Sequence, residues 1–201
     1  KELVKKMAQT GKAVCLLTDS FNALYESSVI ENTAKVIEAL GYQVYLLPVL
    51  ASGKMMHHMG MLDEFKEKAR NNILIFNELA KINIPIVGIE PSVTLFYEEE
   101  YKKAFFKACK YEVKLVQSWM SEVVDNKLKA KEKWLKASSS NQPEGYKILS
   151  HCIERAGAPD ANKQWQKVFN YFGVKLDYEP IGCCGMAGLY GHLSENKSKS
   201  I

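Results

Sequence analysis

Apolar and polar positions along the chain switch repeatedly between a strand-like and a helix-like pattern. Residues 12–21, KAVCLLTDSF, form a short apolar run ending in polar residues, the pattern of a buried strand. Residues 27–40, SSVIENTAKVIEAL, carry apolar positions at helical spacing, and Gly41 fits the cap that ends many helices. YQVYLLPVL (42–50) predicts the next strand, stopped near Pro48. A long helix over about 62–81 leads to a third strand in IPIVGIEPS (84–92). Strand, helix, strand, helix, strand is the order of a parallel α/β sheet.

Residues 99–136 read as a charged helical segment, and SSSNQPEGY (138–146) is the clearest loop. After it the pattern restarts with a strand at 146–152, a helix at 161–173 and a strand at 174–182. Trp165, Val168, Phe169 and Phe172 form one apolar stripe, predicted to be core. Both halves run strand, amphipathic helix, glycine (41 or 173), strand, as an internal duplication would leave them. The predicted fold is therefore α/β, with two βαβ-type, Rossmann-like modules joined by the charged helical segment. The first spans 1–136 and the second 137–201.

The 201 residues are 47% hydrophobic and 25% charged, enough to bury a core without disulfide staples. The net charge of +4 is carried almost entirely by lysine, since Arg70 and Arg155 are the only arginines. The arginine-rich patch of a dedicated nucleic-acid binder is missing, so nucleic acid is not an expected partner. No run of about 18 apolar residues is present, and the start lacks the layout of a signal peptide. A chain opening on Lys1 is expected to be a piece of something larger, and a cytoplasmic location is expected.

Five cysteines, at 15, 109, 152, 183 and 184, suggest a reducing compartment, where clustered thiols point to metal or redox chemistry. The stretch IGCCGMAGLYGH (181–192) combines vicinal thiols with a glycine at every third position. It departs from a dinucleotide fingerprint, because two cysteines replace the single residue between the first glycines and no acidic residue follows. Vicinal cysteines bridge each other only through a strained ring, whereas both are soft ligands suited to iron–sulfur clusters. Cys152 is predicted to end the preceding strand of the same βαβ unit, with thirty residues between it and Cys183. Neighbouring parallel strands present their C-terminal ends at one edge of the sheet, so three thiolates can converge there. The alternative is that Cys152 is a small buried hydrophobe and the CCG segment a tight turn. Zinc is less suited, because the CxxC spacing is absent, and Cys15 and Cys109 read as structural.

His151 and Cys152, followed by QWQKVFNYFGVKLDYEPIGCCGMAGLYGH, resemble the cysteine-rich CCG domain at the C-terminus of bacterial FAD-linked, iron–sulfur dehydrogenases of the D-2-hydroxyglutarate type. The first half resembles the same group in TDSFNALYESSVIENTAKVIEALGYQVYLLP, in SGKMMHHMGML and in IPIVGIEPSVTLFYEEEY. The resemblance implies that Cys152, Cys183 and Cys184 ligate a 4Fe–4S cluster, with Gly185 and Gly188 in the cofactor loop and His151 and His192 beside the thiols. It further implies that Lys54, His57 and Gly60 form a polar loop, with Lys54 and His57 touching substrate or acceptor. FAD would sit in an upstream domain of the same polypeptide, next to a ferredoxin-like region, with a quinone or a flavoprotein as acceptor. The domain would then be cytoplasmic or peripheral at the inner face of the membrane.

The chain departs from the family pattern at two places. Phe96 and Glu98 stand where relatives carry a cysteine and an arginine, so the first half offers no thiol there. A further family cysteine is expected past Ile201, which leaves at most three converging thiolates here. The leading expectation is a redox domain that relays electrons from flavin or completes the active site, inactive and flavin-free by itself. The alternatives are a heterodisulfide-reductase-like thiol and iron–sulfur subunit, or a non-catalytic docking module with vestigial thiols.

Overall fold

The computed structural model describes residues 11–129, 145–182, 185 and 190–199. The chain divides into two compact units, Lys1–Leu135 and Lys136–Ile201.

In the first unit, strand β1 (Ala13–Leu17) is followed by helices α1 (Ser20–Tyr25) and α2 (Ser27–Ala39) and strand β2 (Gln43–Leu46). Helices α3 (Lys54–His58) and α4 (Leu62–Lys81) lead to β3 (Ile86–Gly88). Then come α5 (Pro91–Glu98), α6 (Glu100–Phe105), β4 (Val113–Leu115) and α7 (Val116–Lys129). The four strands pair in parallel in the order β2-β1-β3-β4. The chain leaves β1 for β2 on one side and returns to β3 on the other, so the connection reverses direction between β1 and β3. In open α/β sheets ligands bind at such a point, beyond the C-terminal strand ends.

All five residues of β1 are buried, as its uninterrupted apolar sequence requires of a central parallel strand. Phe65, Ala69, Ile73, Phe76 and Leu79 recur at helical spacing along α4 and join the core that holds Ala13, Cys15 and Leu17. Phe76 lies edge-on to Tyr97 and Tyr111, with ring centroids 5.1 and 5.0 Å away.

The second unit has a two-stranded parallel sheet of β5 (Tyr146–Ile148) and β6 (Leu176–Tyr178). Helices α8 (Cys152–Gly157) and α9 (Ala161–Tyr171) lie between these strands in sequence, and 3-10 turns follow at Tyr190–His192 and Ser194–Lys199. Ala161, Val168, Tyr171 and Leu176 form its buried centre.

Several expectations need correction. The strand expected over 146–152 stops at Ile148, and Cys152 opens a helix rather than ending a strand. His151 Nδ1 accepts the Ile153 N–H at 3.2 Å and caps that helix, which turns the chain out of the sheet. The segment expected to be helical over 99–136 contains β4, because Tyr111, Val113 and Leu115 point inward at alternate positions between charged neighbours. Of the four residues in the α9 stripe, only Val168 is fully buried, while Trp165, Phe169 and Phe172 are half-buried. The architecture is mixed α/β with parallel sheets.

Candidate functional site

The C-terminal edge of the four-stranded sheet gathers the polar side chains of the first unit. After β1, the Asp19 carboxylate caps α1, with Oδ1 accepting the Phe21 and Asn22 N–H groups at 2.9 and 3.0 Å. The Thr18 hydroxyl donates to the Leu47 carbonyl at 2.6 Å and ties the end of β1 to the segment after β2. After β3, Glu90 Oε2 accepts the Val93 N–H at 2.6 Å and the Ser92 hydroxyl at 2.8 Å, capping α5 ahead of Pro91 at its first turn. A narrow crevice of about 10 Å³, room for about one water, lies between these two strand ends, lined by Thr18, Asp19, Glu90, Thr94 and Tyr97.

Lys54 opens α3 after Gly53, whose φ of 72° is in the left-handed region. Its ammonium donates to the Ser92 carbonyl at 2.9 Å, which leaves two N–H groups with no acceptor among the described residues. Burial lowers the Lys54 pKa, while the nearby Glu90 carboxylate opposes that shift. His57, three residues on, stands edge-on to Phe65 and Phe96 with centroids 5.0 and 5.4 Å away. Its Nε2 is 3.7 Å from Glu100 Oε2, and its buried Nδ1 has no hydrogen-bond partner among the described residues. Burial lowers the pKa of the adjacent His58, and the positive charges of Lys54 and His57 add to that effect.

The loop that presents Lys54 is held from below by groups the sequence reading missed. Asn72 Nδ2 donates to the Ala51 carbonyl at 3.0 Å, the Tyr101 hydroxyl to the Ser52 carbonyl at 2.7 Å, and the Tyr97 hydroxyl to the Leu50 carbonyl at 3.4 Å. Asn72 also donates to the Tyr101 hydroxyl at 3.0 Å, so these buried polar groups satisfy one another. Desolvation raises the pKa of both tyrosine hydroxyls, which therefore remain protonated donors. A pair of tyrosines four apart in YEEEY was the only sequence trace of this scaffold.

Phe96 and Glu98 are structural. Phe96 is buried against Phe65 and Tyr101, and Glu98 Oε2 accepts the Val113 N–H at 2.9 Å at the start of β4. Cys15 is fully buried in β1, where desolvation pushes its thiol up to about 12. The Cys109 thiol donates to the Tyr101 carbonyl at 3.7 Å.

In the second unit, the Cys152 thiol is free and half-buried, four residues beyond the end of β5. One turn along α8, the Arg155 guanidinium donates to the Ile181 carbonyl, fastening the helix to the segment after β6. The neighbouring Glu154 is buried, which raises its pKa. A cleft of about 230 Å³ lies beside these residues, lined by Ser150, Glu154, Arg155, Asn162 and Tyr178. Gly185 has a left-handed φ of 77°, and His192 ends the first 3-10 turn. Cys183, Cys184 and Gly188 lie outside the described residues. Among the described residues, no three His, Cys, Asp or Glu side chains are placed to hold a metal ion. None of the described helices is long and apolar enough to cross a membrane.

The architecture is thus a parallel α/β fold with polar groups at the sheet edge that commonly carries ligands. The chain is 33% identical to D-2-hydroxyglutarate dehydrogenase of Haemophilus influenzae over 92% of its length. It is 34% identical to the enzyme of that name from Pantoea ananatis over its full length, and 32% identical to that of Escherichia coli over 96%. It spans only 18–19% of the length of these curated relatives. No family model matches the chain, and no solved structure matches it.

Proposed function

We propose that the chain is a cysteine-rich, iron–sulfur redox domain of an FAD-dependent 2-hydroxy acid dehydrogenase of the D-2-hydroxyglutarate type. The observation that carries this reading is the 32–34% identity to enzymes of that name across nearly the whole chain. FAD belongs to a separate domain of the longer polypeptide, beside a ferredoxin-like region, and the final acceptor is a quinone or a flavoprotein.

Cys152, Cys183 and Cys184 are the proposed ligands of a 4Fe–4S cluster. Thiolates suit iron–sulfur chemistry, and the one described member fits: Cys152 is unbridged and half-buried beyond β5, on a helix anchored by Arg155 to Ile181. When bound, such a cluster would accept and pass on single electrons. Main-chain N–H groups around Gly185 and Gly188 would offset its negative charge, with His151 and His192 nearby. In the first unit, Lys54 would offer the ammonium N–H groups not given to Ser92 to a carboxylate of the substrate or to the acceptor, and His57 would add a polar contact.

The test is iron and acid-labile sulfide in the full polypeptide made without oxygen, with and without Cys183→Ser. The reading expects iron in the parent and its loss in the variant. An unchanged iron count in Cys183→Ser refutes the ligand assignment, and a flavin-free, inactive full polypeptide refutes the dehydrogenase assignment.

A further inference from the structure

The second unit repeats part of the first at a constant offset of 132 residues, main-chain bond by main-chain bond. Asp19 and His151 are the N-caps of α1 and α8, which have six residues each. Ala23 donates to the Asp19 carbonyl at 3.0 Å, and Arg155 to that of His151 at 3.0 Å. Gly41 and Gly173 end the following helices with φ of 86° and 74°, and Gly53 and Gly185 follow with 72° and 77°. The strand register repeats too: Val14 faces Val44 as Tyr146 faces Leu176, and Leu16 faces Leu46 as Ile148 faces Tyr178. Leu47 donates to the Leu16 carbonyl at 3.0 Å, and Glu179 to that of Ile148 at 3.1 Å.

Against this correspondence one difference stands out. In the first unit β1 has a neighbour on each side, and its Cys15 N–H donates to the Pro85 carbonyl at 2.8 Å, on the β3 side. The counterpart of Cys15 is Lys147, whose main-chain N–H and C=O point away from β6 and meet no strand among the described residues. Side chains follow the same contrast. Val14 and Leu17 are 0% and 6% exposed, whereas their counterparts Tyr146 and Leu149 are 48% and 60% exposed. An edge that leaves main-chain donors and large apolar groups open is a template for strand addition.

We propose that the outer edge of β5 receives an added parallel strand, apolar like β3, contributed by the same polypeptide from outside residues 1–201. The repeat fixes the geometry, because β3 occupies that side of the equivalent strand in the first unit. Its partner would pair with Lys147 as Ile86 pairs with Cys15, and would cover Tyr146 and Leu149. The relatives, of which this chain spans under a fifth, contain ample chain to supply the strand.

Amide hydrogen exchange in the full polypeptide tests this at Lys147 and Leu149. Both N–H groups are expected to exchange at least about a hundredfold more slowly than in an unstructured peptide, at any protein concentration. A Leu149→Glu variant should speed exchange at Lys147 about tenfold or more, while amides of α9 keep their protection. Open-surface exchange at Lys147 in the parent protein overturns the proposal whether or not the variant folds. Protection that disappears on dilution overturns it as well, because the occupant is then a second copy of the chain.

Discussion

Gly88 ends β3 at the switch-point crevice, and its replacement by alanine tests how tightly that edge is built. An added Cβ would enter the van der Waals envelope of Thr94 Oγ1 and stand 3.0 Å from both Cβ and Cγ2 of Thr94. Carbon atoms in a packed interior prefer about 3.5–4.0 Å. Neither side can move easily. Gly88 is paired with Leu17 on one side and Leu115 on the other, and buried Thr94 donates its hydroxyl to the Glu90 carbonyl at 2.7 Å. Overpacking of this kind costs about 1–3 kcal/mol. With three contacts too close, Gly88→Ala is expected near the upper end, about 2–3 kcal/mol, or roughly 4–12 °C in the melting of the first unit. Thr94→Ala removes two of the three offending atoms and by itself costs about 1 kcal/mol for the lost hydrogen bond. The double variant should therefore be more stable than the summed single effects by about 1 kcal/mol or more. Urea titrations of the four proteins measure this. A Gly88→Ala protein within about 0.5 kcal/mol of the parent, or additive effects in the double variant, would refute the reasoning.

Asp19→Ala removes the acceptor of two α1 N–H groups and should destabilise the first unit by about 1–2 kcal/mol, whereas His151→Ala, losing one bond at 3.2 Å, should cost the second unit less; calorimetry on each variant compares them. The folded protein holds His58 below its ordinary pKa of 6.5, so the unfolded chain takes up that proton first as the pH falls. Stability should therefore decline below pH 6.5, and His58→Gln should reduce the decline, read as urea midpoints on either side of that value. Lys54→Met in the full polypeptide should raise KM or lower kcat with little change in melting temperature, since the Lys54 side chain makes one hydrogen bond among the described residues; unchanged steady-state kinetics would remove Lys54 from the site.

Much of the secondary structure was legible because the residues that punctuate it act locally. Gly41 and Gly173 read as helix ends, and both adopt the left-handed conformation that such ends require. Strand β4 was hidden because Lys110, Glu112 and Lys114 alternate with Tyr111, Val113 and Leu115, and the surrounding charge made a period of two look like a solvated helix. Lys54 was legible as a polar residue in a loop. Its support was not, because Asn72, Tyr97 and Tyr101 lie 21 to 49 residues from the carbonyls they hold. A side chain bound to a main-chain oxygen leaves no pattern in the sequence of its partner.

The 132-residue repeat also records a history. Loop lengths drift faster than strands and helices, so spacing kept without a gap from Asp19 and His151 through Gly53 and Gly185 points to tandem copying of one ancestral segment. At the same offset, Ser20, Ala51 and Ser52 occupy the sequence positions of Cys152, Cys183 and Cys184. The copies have kept their caps and left-handed glycines in common while differing in residue type at these three positions. The first copy carries Lys54 and a buried hydrogen-bonded floor at its sheet edge, and the second has cysteines at these three sequence positions. Backbone architecture here has outlasted the identity of the side chains it carries, which makes each copy a natural control for experiments on the other.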